Sequence, residues 1–165
     1  MSTANHFYFF LLIFAAMKLV IQRVSEASVS ISGNTHSAIG PGLLVLAGIA
    51  QEDTLKDLEY AAHKLVQLRI FSDENGLMNR SVKDIGGEIL IVSQFTLLAQ
   101  TRKGNRPSYI EAARPEVAIP LYEQFCRLVS ELSGKTVATG VFGADMQISL
   151  LNDGPVTIVL DSMEK

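Results

Sequence analysis

The spacing of apolar residues changes along this chain, and that change constrains the fold more than any other feature. Residues 18–24 and 43–49 are rich in Val, Leu and Ile, and residues 27–32 alternate apolar or small with polar residues, which predicts β-strands. Residues 54–69 instead carry apolar residues at helical spacing, and a second such stretch covers 115–132. Helices and strands in separate blocks predict a layered α+β domain rather than a doubly wound nucleotide-binding sheet.

The rest of the chain extends this prediction to a layered α/β/β single domain with two main helices and about eight strands, mostly antiparallel or mixed. Further strands are predicted at 88–98, 136–142, 146–151 and 155–160. Gly33 followed by Asn34 is typical of a hairpin turn. Thr54 with Asp57 three residues later predicts the start of a helix, and Gly134 predicts the end of one.

Composition excludes several classes of protein. Among the 165 residues, 48% are hydrophobic and 19% are charged, which excludes a disordered chain. The net charge of −3 gives no overall attraction for nucleic acid, so RNA binding would need a local basic patch. The single cysteine, Cys126, allows no internal disulfide and is predicted to be buried and inert. His6, His36 and His63 are scattered, so we expect neither a metal nor a cofactor.

The first sixteen residues differ from the rest of the chain. Phe7–Ala16 is entirely apolar or aromatic, but no basic residue precedes Lys18, and ten residues are too few to span a bilayer. We therefore expect residues 1–16 to be an extension outside the fold and residues 17–165 to form the functional domain. A cytoplasmic protein without membrane contact follows from that interpretation, and a signal or membrane-associating segment is the alternative.

Common catalytic motifs are absent from the sequence: it has no nucleophile elbow, phosphate-binding loop, dinucleotide-binding glycine motif or histidine pair at metal spacing. Ser93, Gln94 and Thr96 cluster where the apolar run Ile89–Val92 ends. Strand ends are rigid and open, and exposed backbone N–H groups there can bind an oxyanion. The alternative is that these polar side chains only face solvent.

Two further segments have both a structural and a functional interpretation. Asn152–Thr157 reads Asn-Asp-Gly-Pro-Val-Thr and is predicted to be a turn between two strands. Arg102, Lys103 and Arg106 form a basic loop that either binds phosphates or is merely solvated.

Taken together, these motifs resemble those of the D-aminoacyl-tRNA deacylases, the D-Tyr-tRNA deacylase family. The resemblance covers residues 17 to about 162. It rests on the opening Met17–Val24, on Ser93–Leu97 and Asn152–Thr157 as the two signatures, and on Gly143–Met146 just before the second.

The resemblance implies hydrolysis of the ester that joins a D-amino acid, and also glycine mischarged on tRNA(Ala), to the terminal adenosine of tRNA. It implies a homodimer with its active site at the interface. Gly154–Pro155 of one subunit, in a cis peptide held by Arg23, would enter the pocket of the other and exclude L-amino acids. No cofactor is implied.

The resemblance also assigns roles to other residues. Catalysis falls to Ser93, Gln94, Phe95 and Thr96, substrate binding to Phe142, Ala144 and Met146, and tRNA binding to Arg102, Lys103 and Arg106. Thr96 is the nucleophile by family analogy. A threonine nucleophile needs a group that takes its hydroxyl proton. The two signatures contain no histidine or lysine, and their one carboxylate is Asp153 in the predicted turn. We therefore favour a second mechanism. There, backbone N–H groups stabilise the oxyanion, and the 2′-hydroxyl of the substrate assists water.

Three alternatives remain open at this point. One is a related enzyme that edits L-aminoacyl-tRNA with a trans Gly-Pro. Another is a nucleic-acid-binding dimer without enzymatic activity. The third is a serine hydrolase that combines Ser93 with the distant His63.

Overall fold

The computed structural model describes residues 15–163. In that range the chain forms eight strands, two α-helices and one 3₁₀ helix. The strands are β1 (Lys18–Ile31), β2 (Asn34–Ile39), β3 (Gly42–Gly48), β4 (Phe71–Ser72), β5 (Met78–Arg80), β6 (Glu88–Ser93), β7 (Ala138–Thr139) and β8 (Gln147–Asp161). The helices are α1 (Leu55–Gln67), α2 (Pro115–Ser133) and the 3₁₀ helix Phe95–Leu98.

Strand β1 organises the main sheet. It pairs antiparallel with β2, β3 and β8, and beyond β3 the strands β6 and β7 are added in parallel. Strands β4 and β5 form a separate small hairpin. The predicted α+β class with two main helices and mixed strands is confirmed.

Two clusters of buried residues explain the layers. Leu43 and Val45 of β3 belong to a core that includes both helices, which pack against each other. Leu44 of β3 and Leu90 of β6 belong to a second core with residues of β1 and β2. Because both faces of β3 and β6 are covered, these strands are nearly continuous apolar runs rather than alternating ones.

The predicted helix ends and hairpin are confirmed. The backbone N–H of Thr54 donates to Asp57 Oδ2 at 2.9 Å, as in a capping box. Gly134 ends α2 in the left-handed region with φ 77°. Ser32 and Gly33, both with positive φ, connect β1 to β2.

The predicted turn between two strands at residues 152–157 is wrong, because β8 runs without a break from Gln147 to Asp161. Opposite this segment, Gln22 pairs with Thr157 and Val24 pairs with Asn152. Between these two pairs, strand β8 has the four residues 153–156 where β1 has only Arg23, and the surplus forms a bulge within one strand. Similarly, the two strands predicted at 18–24 and 27–32 are parts of the single strand β1.

Two other predicted strands are shorter than expected. The strand predicted at 88–98 ends at Ser93, and only Ala138–Thr139 of the predicted 136–142 is a strand. The ladder between β3 and β6 ends with Gln94 N–H donating to Ala47 O at 2.8 Å. The chain then turns, because the N–H of Leu97 donates back to Gln94 O at 3.2 Å.

Asp53 fastens the beginning of β1 to the loop before α1. Its Oδ1 accepts from Met17 N–H at 2.8 Å and its Oδ2 accepts from Ala50 N–H at 2.7 Å. Burial raises the pKa of Asp53 to about 6, although these two hydrogen bonds act in the opposite direction.

The expectation that residues 1–16 lie outside the fold falls mostly on positions 1–14, outside the described residues. Ala15 and Ala16 have no regular secondary structure, and Ala16 and Met17 are buried. No helix within residues 15–163 is long and apolar enough to cross a membrane.

Candidate active site

A cleft of about 310 Å³ opens where β6 ends, facing the segment that leads from β7 to β8. The structure brings six of the predicted site residues together in its wall: Ser93, Gln94, Phe95, Phe142, Ala144 and Met146. The other lining residues are Ala47, Ile49, Val92, Ala113, Ala118, Gly143, Asp145 and Ile148.

The turn after β6 leaves two backbone donors unused. Within residues 15–163 the N–H groups of Phe95 and Thr96 make no hydrogen bond, because they begin the 3₁₀ helix. Gly48 allows this turn to pack closely, since a Cβ there would lie 3.0 Å from Gln94 O and 3.1 Å from Leu97 Cβ. Two adjacent unused N–H groups beside a cleft can stabilise a developing oxyanion.

Among the described residues, no group that could take its proton is hydrogen-bonded to the Thr96 hydroxyl. Its hydroxyl is hydrogen-bonded to the side-chain amide of Gln94 at 2.5 Å. An amide accepts no proton at neutral pH, whichever of its ends faces the hydroxyl. Thr96, unlike Ser93 to Phe95, does not line the cleft. The contact therefore holds the hydroxyl without activating it.

Asp145 is the one ionisable side chain that lines the cleft in the described part of the chain, and it is exposed. The residue roles drawn from the sequence omitted it, although it lies inside the matching stretch Gly143–Met146. Its position in that stretch could have pointed to it, but a single aspartate between an alanine and a methionine forms no pattern that indicates a site.

On the opposite wall of the cleft, the apolar side chain of Phe142 is held in place by Tyr122. The ring of Phe142 packs on Tyr122, with centroids 6.2 Å apart, and Tyr122 donates its buried hydroxyl to Ile91 O at 2.7 Å. Burial raises the pKa of Tyr122, which keeps the hydroxyl a donor. Gly140 lets Met146 approach, because a Cβ there would meet Met146 Sδ at 2.5 Å.

The bulge of β8 presents Gly154 and Pro155 to solvent, and neither residue lines the cleft of its own chain. The peptide bond between them is cis. Gly154 has φ 140°, and a Cβ there would lie 2.8 Å from Val156 Cγ2 and 3.0 Å from Arg23 Nη2. Asn152 closes the bulge, because its Oδ1 accepts from Val156 N–H at 2.8 Å.

Arg23 connects the bulge to the body of the protein. Its Nε donates to Asp153 O at 2.8 Å and its Nη1 donates to Ile70 O at 2.6 Å. The Asp153 carboxylate lies 3.5 Å from the same Nε. The Arg23 side chain is only 11% exposed, so the guanidinium makes these bonds largely out of water.

The basic loop is closed at its base by paired backbone. Gln100 and Ser108 exchange two backbone hydrogen bonds of 2.8 and 3.0 Å at its base. Arg102, Lys103 and Arg106 are exposed, and none of them forms a salt bridge with a described residue.

The serine hydrolase considered from the sequence finds no assembled site within residues 15–163. Ser93 lines the cleft at the end of β6, whereas His63 lines a separate one between the helices and the turn near Asp84. Cys126 is buried, and burial raises the pKa of its thiol to about 11, so it is not a reactive thiolate. No group of three metal-binding side chains occurs within residues 15–163.

Comparison with known proteins identifies the family. A model of the D-Tyr-tRNA(Tyr) deacylase family matches residues 20–161, which is most of the chain. The chain belongs to this family. Similar curated proteins named D-aminoacyl-tRNA deacylase occur in Porphyromonas gingivalis, at 62% identity, and in Bacteroides thetaiotaomicron, at 56%. Each aligns over 149 residues, which are 90% of this chain and 99% of the relative.

Solved structures agree with the fold. One named c-Myc DNA unwinding element binding protein is 45% identical, with a TM-score of 0.82 over 87% of this chain and 97% of that one. Another, described as a probable eukaryotic D-amino acid tRNA deacylase, is 19% identical with a TM-score of 0.75. It covers 88% of this chain and 98% of its own, and at that identity it supports the fold alone.

Proposed function

We propose that this protein is a hydrolase that cleaves the ester bond of D-aminoacyl-tRNA and releases the free D-amino acid and tRNA. The relatives named for this activity support it, since they align over nearly their whole length. The structural observation that carries the proposal is the cleft at the end of β6, which Phe95 lines, together with the unused backbone N–H groups of Phe95 and of the next residue, Thr96.

In the proposed mechanism, the ester carbonyl lies against the N–H groups of Phe95 and Thr96. These groups stabilise the negative charge that develops on the carbonyl oxygen as water attacks. The 2′-hydroxyl of the terminal ribose adjoins the ester and assists proton transfer. The Gln94 amide, bonded to the Thr96 hydroxyl, keeps the 3₁₀ turn in shape.

Chiral selection in this proposal needs a second subunit. Gly154 and Pro155 are exposed and do not line the cleft of their own chain, which leaves the cleft open to the bulge of a partner. Among the described strands β8 pairs only with β1, and its other edge is open. Leu151 and Val159 on β8 are 59% and 69% exposed. An open edge with exposed apolar side chains is suited to pairing with another copy.

The partner's Gly-Pro bulge then acts as a wall for the substrate's α-carbon. A D-amino acid directs its side chain away from the wall, whereas an L-amino acid would drive it into the wall. Glycine has no side chain to be rejected, so glycine mischarged on tRNA(Ala) is a further substrate. The wall does not test which side chain is present, so many D-amino acids are accepted. We place this activity in the cytoplasm, where tRNA is charged.

The test is deacylation of D-Tyr-tRNA and L-Tyr-tRNA side by side by the full chain. Rapid release of D-tyrosine alone is the expected result. Preference for the L form would instead place the protein with the L-editing relatives. Inertness toward both, in protein shown to be folded, would refute the hydrolase proposal.

A second candidate is nucleic-acid binding without hydrolysis. The relative of known structure at 45% identity is named for binding a DNA unwinding element. The same experiment separates the two proposals: a purely binding protein would retain aminoacyl-tRNA on a filter without shortening the lifetime of its ester.

A further inference from the structure

We propose that Tyr109 is a stacking platform for a nucleobase of the single-stranded acceptor end, on the 5′ side of the terminal adenosine. In this proposal Phe95 supports the Tyr109 ring from the cleft, and the loop 102–106 binds the adjoining phosphates. The inference rests on the proposed function, because it assumes that the substrate is an aminoacylated tRNA.

The first observation is an exposed apolar patch at the mouth of the cleft. Phe95 lines the cleft and is 55% exposed, Tyr109 is 39% exposed and Ile110 is 85% exposed. The Phe95 and Tyr109 rings meet edge to face, with centroids 5.0 Å apart and planes at 75°. In such a pair at most one of the four ring faces is covered by the other ring, which leaves faces free to stack on a base.

The second observation is that Tyr109 is positioned by rigid neighbours. Ser108, directly before it, exchanges both backbone hydrogen bonds with Gln100. Directly after the patch, the backbone O of Glu111 accepts from Gln51 N–H at 3.2 Å, and its carboxylate accepts from the Gln100 side-chain amide at 2.5 Å. A platform fixed on both sides loses little conformational entropy when a base stacks on it.

The third observation is charge. Arg102, Lys103 and Arg106 lie in the loop that Gln100 and Ser108 close, between three and seven residues before Tyr109. They are exposed and form no salt bridge with any residue in the described part of the chain. The protein as a whole has a net charge of −3, so this local excess of cations contrasts with the rest of the molecule. An aromatic ring beside unpaired cations is the combination that binds single-stranded nucleic acid.

The location of the patch selects which part of the substrate it meets. The reacting ester lies in the cleft, and the terminal adenosine is attached directly to it. Nucleotides further upstream must leave through the mouth of the cleft, where Phe95 and Tyr109 lie. A base that stacks on Tyr109 brings its phosphates toward the loop 102–106, because that loop and Tyr109 share one base of paired backbone.

The test compares two substrates and three variants. The substrates are D-Tyr-tRNA and D-tyrosyl-adenosine, which carries the ester but no upstream nucleotide. For Tyr109→Ala we expect KM for D-Tyr-tRNA to rise about 5- to 150-fold, the range for loss of one stacked base. KM for D-tyrosyl-adenosine and kcat for both substrates should stay unchanged. Tyr109→Trp, which keeps a stacking face, should restore KM.

The control is Leu55→Ala, which shortens another exposed apolar side chain, 49% exposed at the start of α1, and should change nothing. Equal loss on both substrates would overturn the inference, because Tyr109 would then only hold Phe95 in place. A change in oligomeric state measured by sedimentation would also overturn it, because the patch would then be a contact between copies. If the parent protein cleaves neither substrate, the proposed function fails first, and that outcome is distinct from a failure at Tyr109.

Discussion

Replacement of Arg23 by lysine tests how the bulge of β8 is held. Lysine keeps the positive charge but not the planar fork, and one ammonium group cannot reproduce the two directed bonds of the guanidinium. Those bonds join Arg23 to Asp153 O at 2.8 Å and to Ile70 O at 2.6 Å, in a site that is mostly shielded from water. A hydrogen bond with a charged donor contributes roughly 1.5–3 kcal/mol, so loss of one bond should lower the free energy of unfolding by about 2 kcal/mol.

The catalytic effect of Arg23→Lys follows from the same geometry. A bulge that is free to move is a poorer wall, so we expect the ratio of D- to L-Tyr-tRNA cleavage rates to fall about tenfold or more, which corresponds to about 1.4 kcal/mol of lost discrimination. Urea unfolding measures the stability, and single-turnover deacylation of both substrates measures the selectivity.

Arg127→Lys is the matched control for this experiment. Arg127 lies on the exposed side of α2, and its guanidinium donates to the side-chain oxygen of the neighbouring Gln124. The same substitution there should change stability by less than about 0.5 kcal/mol and leave selectivity unchanged. If Arg23→Lys behaves like this control in both assays, the reasoning about the tether is refuted.

Three further predictions concern other parts of the molecule. Because burial raises the pKa of Asp53 to about 6, the folded state binds its proton more tightly than the unfolded state, so stability should fall as pH rises from about 4 to 6. We expect the free energy of unfolding to fall by roughly 1 kcal/mol after solvent screening. Asp53→Asn should remove this pH dependence, although it also removes one of the two oxygens that accept an N–H. If urea unfolding of the variant shows the same dependence of stability on pH, the effect does not come from Asp53. Thr96→Ala should slow D-Tyr-tRNA cleavage less than about 100-fold, whereas a loss on the order of 1000-fold with binding intact would identify Thr96 as the nucleophile. Charge reversal of Arg102 and Lys103 should weaken tRNA binding and flatten its salt dependence, measured by filter binding at several salt concentrations; unchanged values would show that the loop is only solvated surface.

The sequence predicted the parts of the fold that depend on local spacing. Both helices, the cap at Thr54 and the stop at Gly134 follow from residues near one another in the chain, and the structure confirms them. The bulge of β8 could not be predicted in the same way, because it depends on pairing with β1, more than a hundred residues away. A Gly-Pro pair between strands has the composition of a turn, and only the partner strand reveals that the ladder continues past it.

The candidate site shows the same division. The cluster of Ser93, Gln94 and Thr96 was found because polar side chains interrupt an apolar run. The structure places Ser93 and Gln94 in the wall of the cleft, whereas Thr96 does not line it. The sequence did not predict that the strand stops at Ser93, because the stop is set by the last hydrogen bond to Ala47 on β3. Tyr109 and Asp145 were missed because a single exposed aromatic or acidic residue has no recognisable pattern until its neighbours in space are known.

The bulge of β8 offers no side-chain donor, acceptor or charge at its tip, since glycine and proline supply only backbone and a ring. A surface of that kind can recognise volume but not polarity. If it governs selection, the preference between mirror-image substrates should survive changes in salt, pH and side-chain chemistry that would disturb recognition by charge. Selectivity would then be purely steric, and it would depend only on whether the substrate's side chain fits beside the bulge.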